Sequence, residues 1–351
     1  MSDAEEATTQ MTVDTQLNKG IQFTSQELTL MLSGPKGAKR VGEQKIGPLM
    51  HSFANQIDLD LTGLYKKVYN WVGTPGQQID SYPDYLKATE RLNEMAVPMM
   101  NRSGIVTPND HVGLVGAFHN LYDTSTARSA LQKAKLPLLG GDDLYMSQNV
   151  ATHQVGPLGG TPLVNGANQN VTYATAKQTM QQSLVTDGWT ASAAARVKAG
   201  DVFTLAGVYA VNPVGKQQLG FLQQFVVQGD ASSDGSGNAT LTISPPIITS
   251  GPYQTVSAAP ADNAALTFLG TAGTLYRQNM TFHKDAFALA VVPLELPDGA
   301  PFAARITEDG LSVRVTSDFD ITNDNNIWRF DVLYGVRCLR PELATRLSGT
   351  P

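Results

Sequence analysis

Seven apolar residues, Ile46, Leu49, Phe53, Ile57, Leu61, Leu64 and Val68, recur at steps of three and four, and they constrain the chain more than any other feature. That spacing builds a single apolar stripe on an α-helix. It predicts a helix over about residues 41–70, with Pro48 in the first turn or at a kink. About 30 residues at ~1.5 Å each span roughly 45 Å. A helix of that length has to lie across a surface rather than inside a small core. Gly73-Thr74-Pro75-Gly76 ends the segment as a turn.

The chain on either side has a different texture. Residues 1–37 are polar and then strand-like, with Ile21, Phe23, Leu28, Leu30 and Leu32 set among Thr, Gln and Ser. They read as an extended arm or one side of a long hairpin, closed by Ser33-Gly34-Pro35. Residues 81–140 read as helices joined by short loops. Ser81 is the expected N-cap of the first, whose apolar face carries Tyr85, Leu86, Leu92 and Met95. Thr107-Pro108-Asn109-Asp110 caps the second, which carries Val112, Leu114, Val115, Phe118 and Leu121. A third short helix is expected near residues 125–135.

From about Gly156 to Gly270 the text turns to Gly, Asn, Thr, Gln and Ala with short apolar alternations. Residues 202–205, 221–227, 239–244 and 264–269 read as short strands, and Ser233-Asp234-Gly235-Ser236-Gly237-Asn238 as a hairpin turn between two of them. Regular short strands predict a small barrel or sandwich inserted into the chain. Longer strands follow. Leu311, Val313 and Val315 alternate with polar residues. Trp328, Phe330, Val332, Tyr334, Val336 and Cys338 alternate with Arg329, Asp331, Gly335 and Arg337. A period of two over that length predicts half-buried antiparallel strands, with Cys338 on the apolar face as a small hydrophobe.

Composition narrows the function classes. The 351 residues hold 25 Lys+Arg against 31 Asp+Glu, a net charge of −6, and one cysteine. A lone cysteine cannot form an internal disulfide, which favours a reducing compartment over a secreted disulfide scaffold. Charged residues make up 16%, against about 25% in typical soluble domains. With 32 Gly and 19 Pro, this points to a β-rich chain that covers its surface with copies of itself. The N-terminus lacks the basic and apolar regions of a signal peptide, and the strongest apolar stretch, residues 287–296, is too short to span a bilayer.

Enzyme templates return nothing. The histidines, His51, His111, His119, His153 and His283, form no HExxH and no zinc spacing with cysteine. Residues 34–39 lack phosphate-loop spacing, and the acidic stretches at 230–235 and 318–320 lack the Glu at position twelve of a calcium loop. Lys36, Lys39, Arg40 and Lys45 form a small basic cluster that reads as a solvated helix end or as a contact with an acidic neighbour or packed nucleic acid. A pI near 5.4 argues against a dedicated DNA-binding protein. No catalytic, cofactor-binding or metal residue is therefore assigned.

An ordered set of strings remains: Phe23-Thr24-Ser25-Gln26-Glu27-Leu28-Thr29-Leu30, Ala54-Asn55-Gln56-Ile57-Asp58-Leu59-Asp60-Leu61 and Ser147-Gln148-Asn149-Val150-Ala151-Thr152-His153. Gly200-Asp201-Val202-Phe203-Thr204, Val211-Asn212-Pro213 and Phe282-His283-Lys284-Asp285-Ala286-Phe287-Ala288 follow, then Asp331-Val332-Leu333-Tyr334-Gly335 and Leu339-Arg340-Pro341-Glu342. Over about residues 11–350 the chain resembles the major capsid proteins of short-tailed Salmonella-type phages. The resemblance implies an α+β chain with the Hong Kong 97 type capsid fold and an inserted small β-barrel. It implies an N-terminal arm and remnant of an extended loop at 1–37 and a peripheral domain with a spine helix at 38–80. The axial domain would begin at 81–156, the barrel would fill 157–272, and axial and peripheral strands would complete 273–351. Members of that family carry a longer arm and a full loop before the spine helix, so this N-terminus reads as short. The implied partners are copies of the chain in pentamers and hexamers, a scaffolding protein, a portal, a decoration protein and packaged double-stranded DNA held without sequence specificity. The implied site of assembly is the host cytoplasm. The competing class is a β-rich tail-associated or surface-layer binding protein, against which the long amphipathic helix argues.

Overall fold

The computed structural model describes residues 10–32, 42–117, 138–192, 194–308 and 310–351. The turn at Ser33-Gly34-Pro35, the residues Lys36, Lys39, Arg40, Phe118, His119 and Leu121, and the third helix expected near 125–135 lie outside them. The fold mixes helix and strand and divides into two units.

One unit comprises Gln10–Leu61 and Ala288–Arg337. Its sheet runs in the order Thr15–Thr24 (the arm strand), Asn325–Cys338 (the long strand), then Leu311–Asp320 and Phe302–Glu308 (the hairpin strands). Phe287–Val292 also pairs with the long strand. The predicted alternation sets the register: Leu17 lies opposite Val332, Ile21 opposite Trp328 and Val315 opposite Phe330. These side chains share a face with Val313 and form one core with Leu49, Phe53 and Ile57 of the stripe helix.

That helix is shorter than its pattern. The α-helix covers Gly47–Thr62, preceded by a π turn over Gly42–Ile46 and followed by a 3-10 turn over Gly63–Lys67. Sixteen residues rise about 24 Å. Pro48 stands in the first turn of the α-helix, the position that tolerates a missing N–H best. At the other end Val68 turns extended, with ψ 121°. The apolar stripe is thus divided: Ile46 to Leu61 packs in this unit, whereas Val68 packs in the other, with Tyr65, Met280 and Ala344.

Residues 25–32, read as strand, form the helix Ser25–Leu32. The cause is a capping box. The Glu27 N–H donates to Thr24 Oγ1 at 3.2 Å, and the Thr24 N–H donates back to Glu27 Oε2 at 3.3 Å. Asp331 departs from the alternation too. It lies on the polar face, yet it is fully buried, because Arg314 Nη2 (2.7 Å) and Arg329 Nε (2.8 Å) donate to its two oxygens.

The second unit takes in Thr62–Phe287 and Cys338–Pro351. Its body is a sheet in the order Trp71–Val72, Ala344–Leu347, Asn279–His283, Arg102–Val106, Asp142–Met146, Leu138–Leu139. Two of these strands, Arg102–Val106 and Leu138–Leu139, lie in the region read as helical. Arg102–Val106 is five residues long, buried at alternate positions and central in the sheet, so two-sided packing outweighs its weak local signal. The first two helices stand as predicted, over Tyr82–Glu94 and Pro108–Ala117. Ser81 Oγ accepts from the Asp84 N–H at 3.3 Å, and Thr107 Oγ1 accepts from the Asp110 N–H at 3.4 Å. Tyr85, Ala88 and Leu92 are fully buried on the sheet. Gly104 permits this approach, since a Cβ there would sit 2.5 Å from the Tyr85 hydroxyl. Val112, expected on the apolar face, is 67% exposed.

Between Gln154 and Leu275 the chain builds a second six-stranded sheet. Its order is Leu266–Phe268, Val202–Val211, Gln218–Val227, Ala239–Ser244, Gln182–Trp189, Gly160–Val164. A bridge between Leu163 and Ala265 links the strands at its two ends. Phe203, Phe225, Leu184 and Leu241 fill its interior at 0% exposure. The 233–238 segment is a turn, with Asp234 Oδ1 accepting from the N–H groups of Ser236 and Asn238 at 2.8 Å each. It lies between Gln218–Val227 and Ala239–Ser244, which pair antiparallel as expected, and the connection also carries Ala231–Ser232, which pairs with Ala195–Val197.

Candidate functional site

The polar side chains that the fold brings together most deliberately lie where this second sheet is rooted in the body. Thr152–Gln154 and Leu275–Arg277 pair antiparallel, so the chain leaves and returns through one two-stranded ribbon. His153 of the ribbon is 3% exposed and Asp201 1% exposed. The His153 Nε2 lies 2.7 Å from Asp201 Oδ1, and its Nδ1 lies 3.1 Å from the Tyr65 hydroxyl. Asp201 also accepts from the N–H groups of Gly156 (3.1 Å) and Lys198 (2.8 Å). Arg346 is fully buried and donates from Nη1 to the Gly200 carbonyl at 2.8 Å. Burial pushes its guanidinium down to about 9, so it stays charged at neutral pH. Burial likewise raises the Tyr65 hydroxyl, against the opposing pull of Arg346.

Four further bonds fasten the same two parts. Gln224 accepts from the Trp71 N–H and donates to the Trp71 carbonyl, each at 2.7 Å. Asn212 Nδ2 donates to the Glu94 carbonyl at 3.1 Å, and Lys67 Nζ to Gln228 Oε1 at 2.8 Å. The carboxylate, imidazole and hydroxyl stand in line as a relay would, but the chain is sealed in the interior. Its atoms are consumed in joining four distant segments. Chemically it can fix geometry; it offers no reacting group to a substrate.

A cleft of about 370 Å³ opens beside Lys87, Glu90, Arg91, Glu94 and Phe221. Arg91 spends its charge internally, 3.5 Å over the Phe221 ring and 3.5 Å from Glu94. Among the described residues no three His, Cys, Asp or Glu side chains converge as a metal site would require, and no helix is long and apolar enough to cross a membrane. His51 is exposed, His111 is buried on its helix, and His283 Nδ1 accepts from the Asp285 N–H at 3.3 Å. Cys338 is half-buried at the end of the long strand. Lys45, the described member of the basic cluster, is exposed. The joint around His153 escaped sequence reading because its members lie as far apart as residues 65 and 346. Nothing in the strings that contain His153 and Asp201 says that the two meet.

Known proteins supply the remaining information. The model of the family described as P22 coat protein, gene protein 5, matches residues 43–349. The major capsid protein of Acyrthosiphon pisum secondary endosymbiont phage 1 is 25% identical over 290 residues, covering 80% of this chain and 68% of that one. Among solved structures, a Mycobacterium phage Che8 chain aligns with 96% of this chain and 71% of its own at 10% identity and a TM-score of 0.45. The capsid of cyanophage P-SCSP1u aligns over 99% and 79% at 10% identity and a TM-score of 0.42. The CUS-3 coat protein I-domain aligns over 33% of this chain and 100% of its own length, at 27% identity and a TM-score of 0.24. The chain belongs to the P22 coat protein family of phage major capsid proteins.

Proposed function

We propose that copies of this chain form pentamers and hexamers that close into an icosahedral shell around the double-stranded DNA of a tailed phage. The family match across residues 43–349 carries this reading, and the low charged fraction supports it, since large subunit interfaces are poor in charge. In this reading the chain has the Hong Kong 97 type fold, with Gly47–Thr62 as the spine helix of a peripheral domain at 38–80. Residues 81–156 and 273–351 supply axial and peripheral parts, and 157–272 form the inserted barrel, a view favoured by the bridge that links the end strands of that sheet. Assembly takes place in the host cytoplasm with a scaffolding protein and a portal, and a decoration protein binds the finished shell. The protein is structural and catalyses nothing. A net charge of −6 suits a lumen wall that does not grip DNA. Electron microscopy of the purified protein, alone and with its scaffold, tests the proposal. Closed shells or rings of five and six are expected; a monomer under every condition overturns it.

A further inference from the structure

The sheet of the first unit ends in two strands whose outer sides pair with no strand among the described residues: the arm strand, Thr15–Thr24, and the outer hairpin strand, Phe302–Glu308. Such edges are templates for pairing with another chain. We infer that the arm strand of one copy pairs antiparallel with Phe302–Glu308 of a second copy, in the register that sets Lys19 opposite Glu308 and Ile21 opposite Ile306. This rests on the shell-forming reading above and adds to it a named contact.

The direction follows from the sheet. Each successive pair from the arm strand to Phe302–Glu308 is antiparallel, so the two outer strands run in opposite directions. A second sheet placed edge to edge in the same orientation continues the antiparallel pattern. The backbone phase agrees. Pairs in an antiparallel ladder alternate between hydrogen-bonded and non-hydrogen-bonded. The Ser25 N–H donates to the Asp324 carbonyl at 3.3 Å, in line with the register that pairs Thr24 with Asn325. Odd-numbered residues of the arm strand therefore bond inward, and Gly20 and Gln22 turn their backbone groups outward. The Thr24 N–H, of the same parity, donates to Glu27 rather than to the long strand. Carried across the sheet, the alternation turns the backbone groups of Arg305 and Thr307 outward. In the inferred register Gly20 meets Thr307 and Gln22 meets Arg305 as hydrogen-bonded pairs.

Side chains then select this register from its neighbours. Lys19 and Glu308 are exposed, and neither has an ion pair among the described residues. Ile306 is 65% exposed on the face that buries the core, and Ile21 is half-buried on that same face. A shift of two residues either way puts Lys19 against Ile306 or Glu308 against Ile21. The contact is heterologous: each copy gives one edge and receives the other, so it can repeat around a ring.

Disulfide trapping tests it. Ile21 and Ile306 fall at a non-hydrogen-bonded pair, where side chains are closest. In a Cys338→Ala background, Ile21→Cys with Ile306→Cys should give a ladder of cross-linked species from dimers upward in oxidised assemblies, collapsing to monomer with reductant. Leu17→Cys with Ile306→Cys, four residues out of register, should not. Lys19→Glu and Glu308→Lys should each lower shell yield several-fold, and the two together should restore it without any thiol. Shells that form with no ladder and no rescue overturn this contact and leave the capsid reading standing. A chain that forms neither shells nor rings overturns both.

Discussion

Gln224 does with one side chain what a neighbouring strand would otherwise do, filling both backbone groups of Trp71. Trp71 is 2% exposed, so neither group has water to fall back on. Leaving a buried polar group unsatisfied costs about 1–3 kcal/mol. Gln224→Ala should therefore destabilise the protein by about 2–3 kcal/mol, read as a lower midpoint in urea; an unmoved midpoint would refute the assigned role. Asp331 presents the same logic with charge. Its carboxylate is enclosed by Arg314 and Arg329, of which Arg314 is the more buried. Asp331→Ala strands the Arg314 guanidinium and should cost about 3 kcal/mol, as removal of one partner of a buried ion pair does. Double-mutant analysis with Arg314→Met should recover part of that loss.

At the level of elements, the sequence was most legible where one period runs long or a cap is local. The stripe from Ile46 to Leu61, the caps at Ser81 and Thr107, and the alternation through Trp328–Val336 all carry their own signal. What was illegible depended on partners far along the chain. Arg102–Val106 is a strand because Asn279–His283 and Asp142–Met146 flank it, and five residues cannot announce that. The far end of the stripe, Val68, switches to another core for the same reason. The helix at Ser25–Leu32 is different, since Thr24 and Glu27 spelled out a capping box that the surrounding Thr and Gln obscured. Thr24→Ala should cost about 1 kcal/mol of local stability. Faster amide exchange confined to residues 25–32 would register it, and unchanged exchange there would contradict the cap.

Across the whole molecule, one histidine gives stability a pH slope. Burial holds His111 below the usual imidazole range. It also follows the helix start at Pro108 closely, where positive charge opposes the helix dipole. Between that lowered value and about 6.5 the unfolded chain takes up a proton that the folded chain refuses. The contribution of His111 is therefore full above about pH 6.5 and is lost as the pH falls below it. Thermal melts from pH 7.5 to 5 should show the decline, and His111→Gln should flatten it; an equal slope in the variant would place the cause elsewhere. The two-stranded ribbon at Thr152–Gln154 and Leu275–Arg277 has a kinetic consequence of its own. It closes a loop of about 120 residues, which in a disordered chain costs on the order of 4 kcal/mol in closure entropy. Asp142–Met146 and Asn279–His283, which flank Arg102–Val106 in the body sheet, are separated by that loop. A second sheet that has already folded brings its two ends together beforehand. The order of events then matters: the body sheet zips quickly when the inserted residues fold first, and waits on a long diffusive search when they do not.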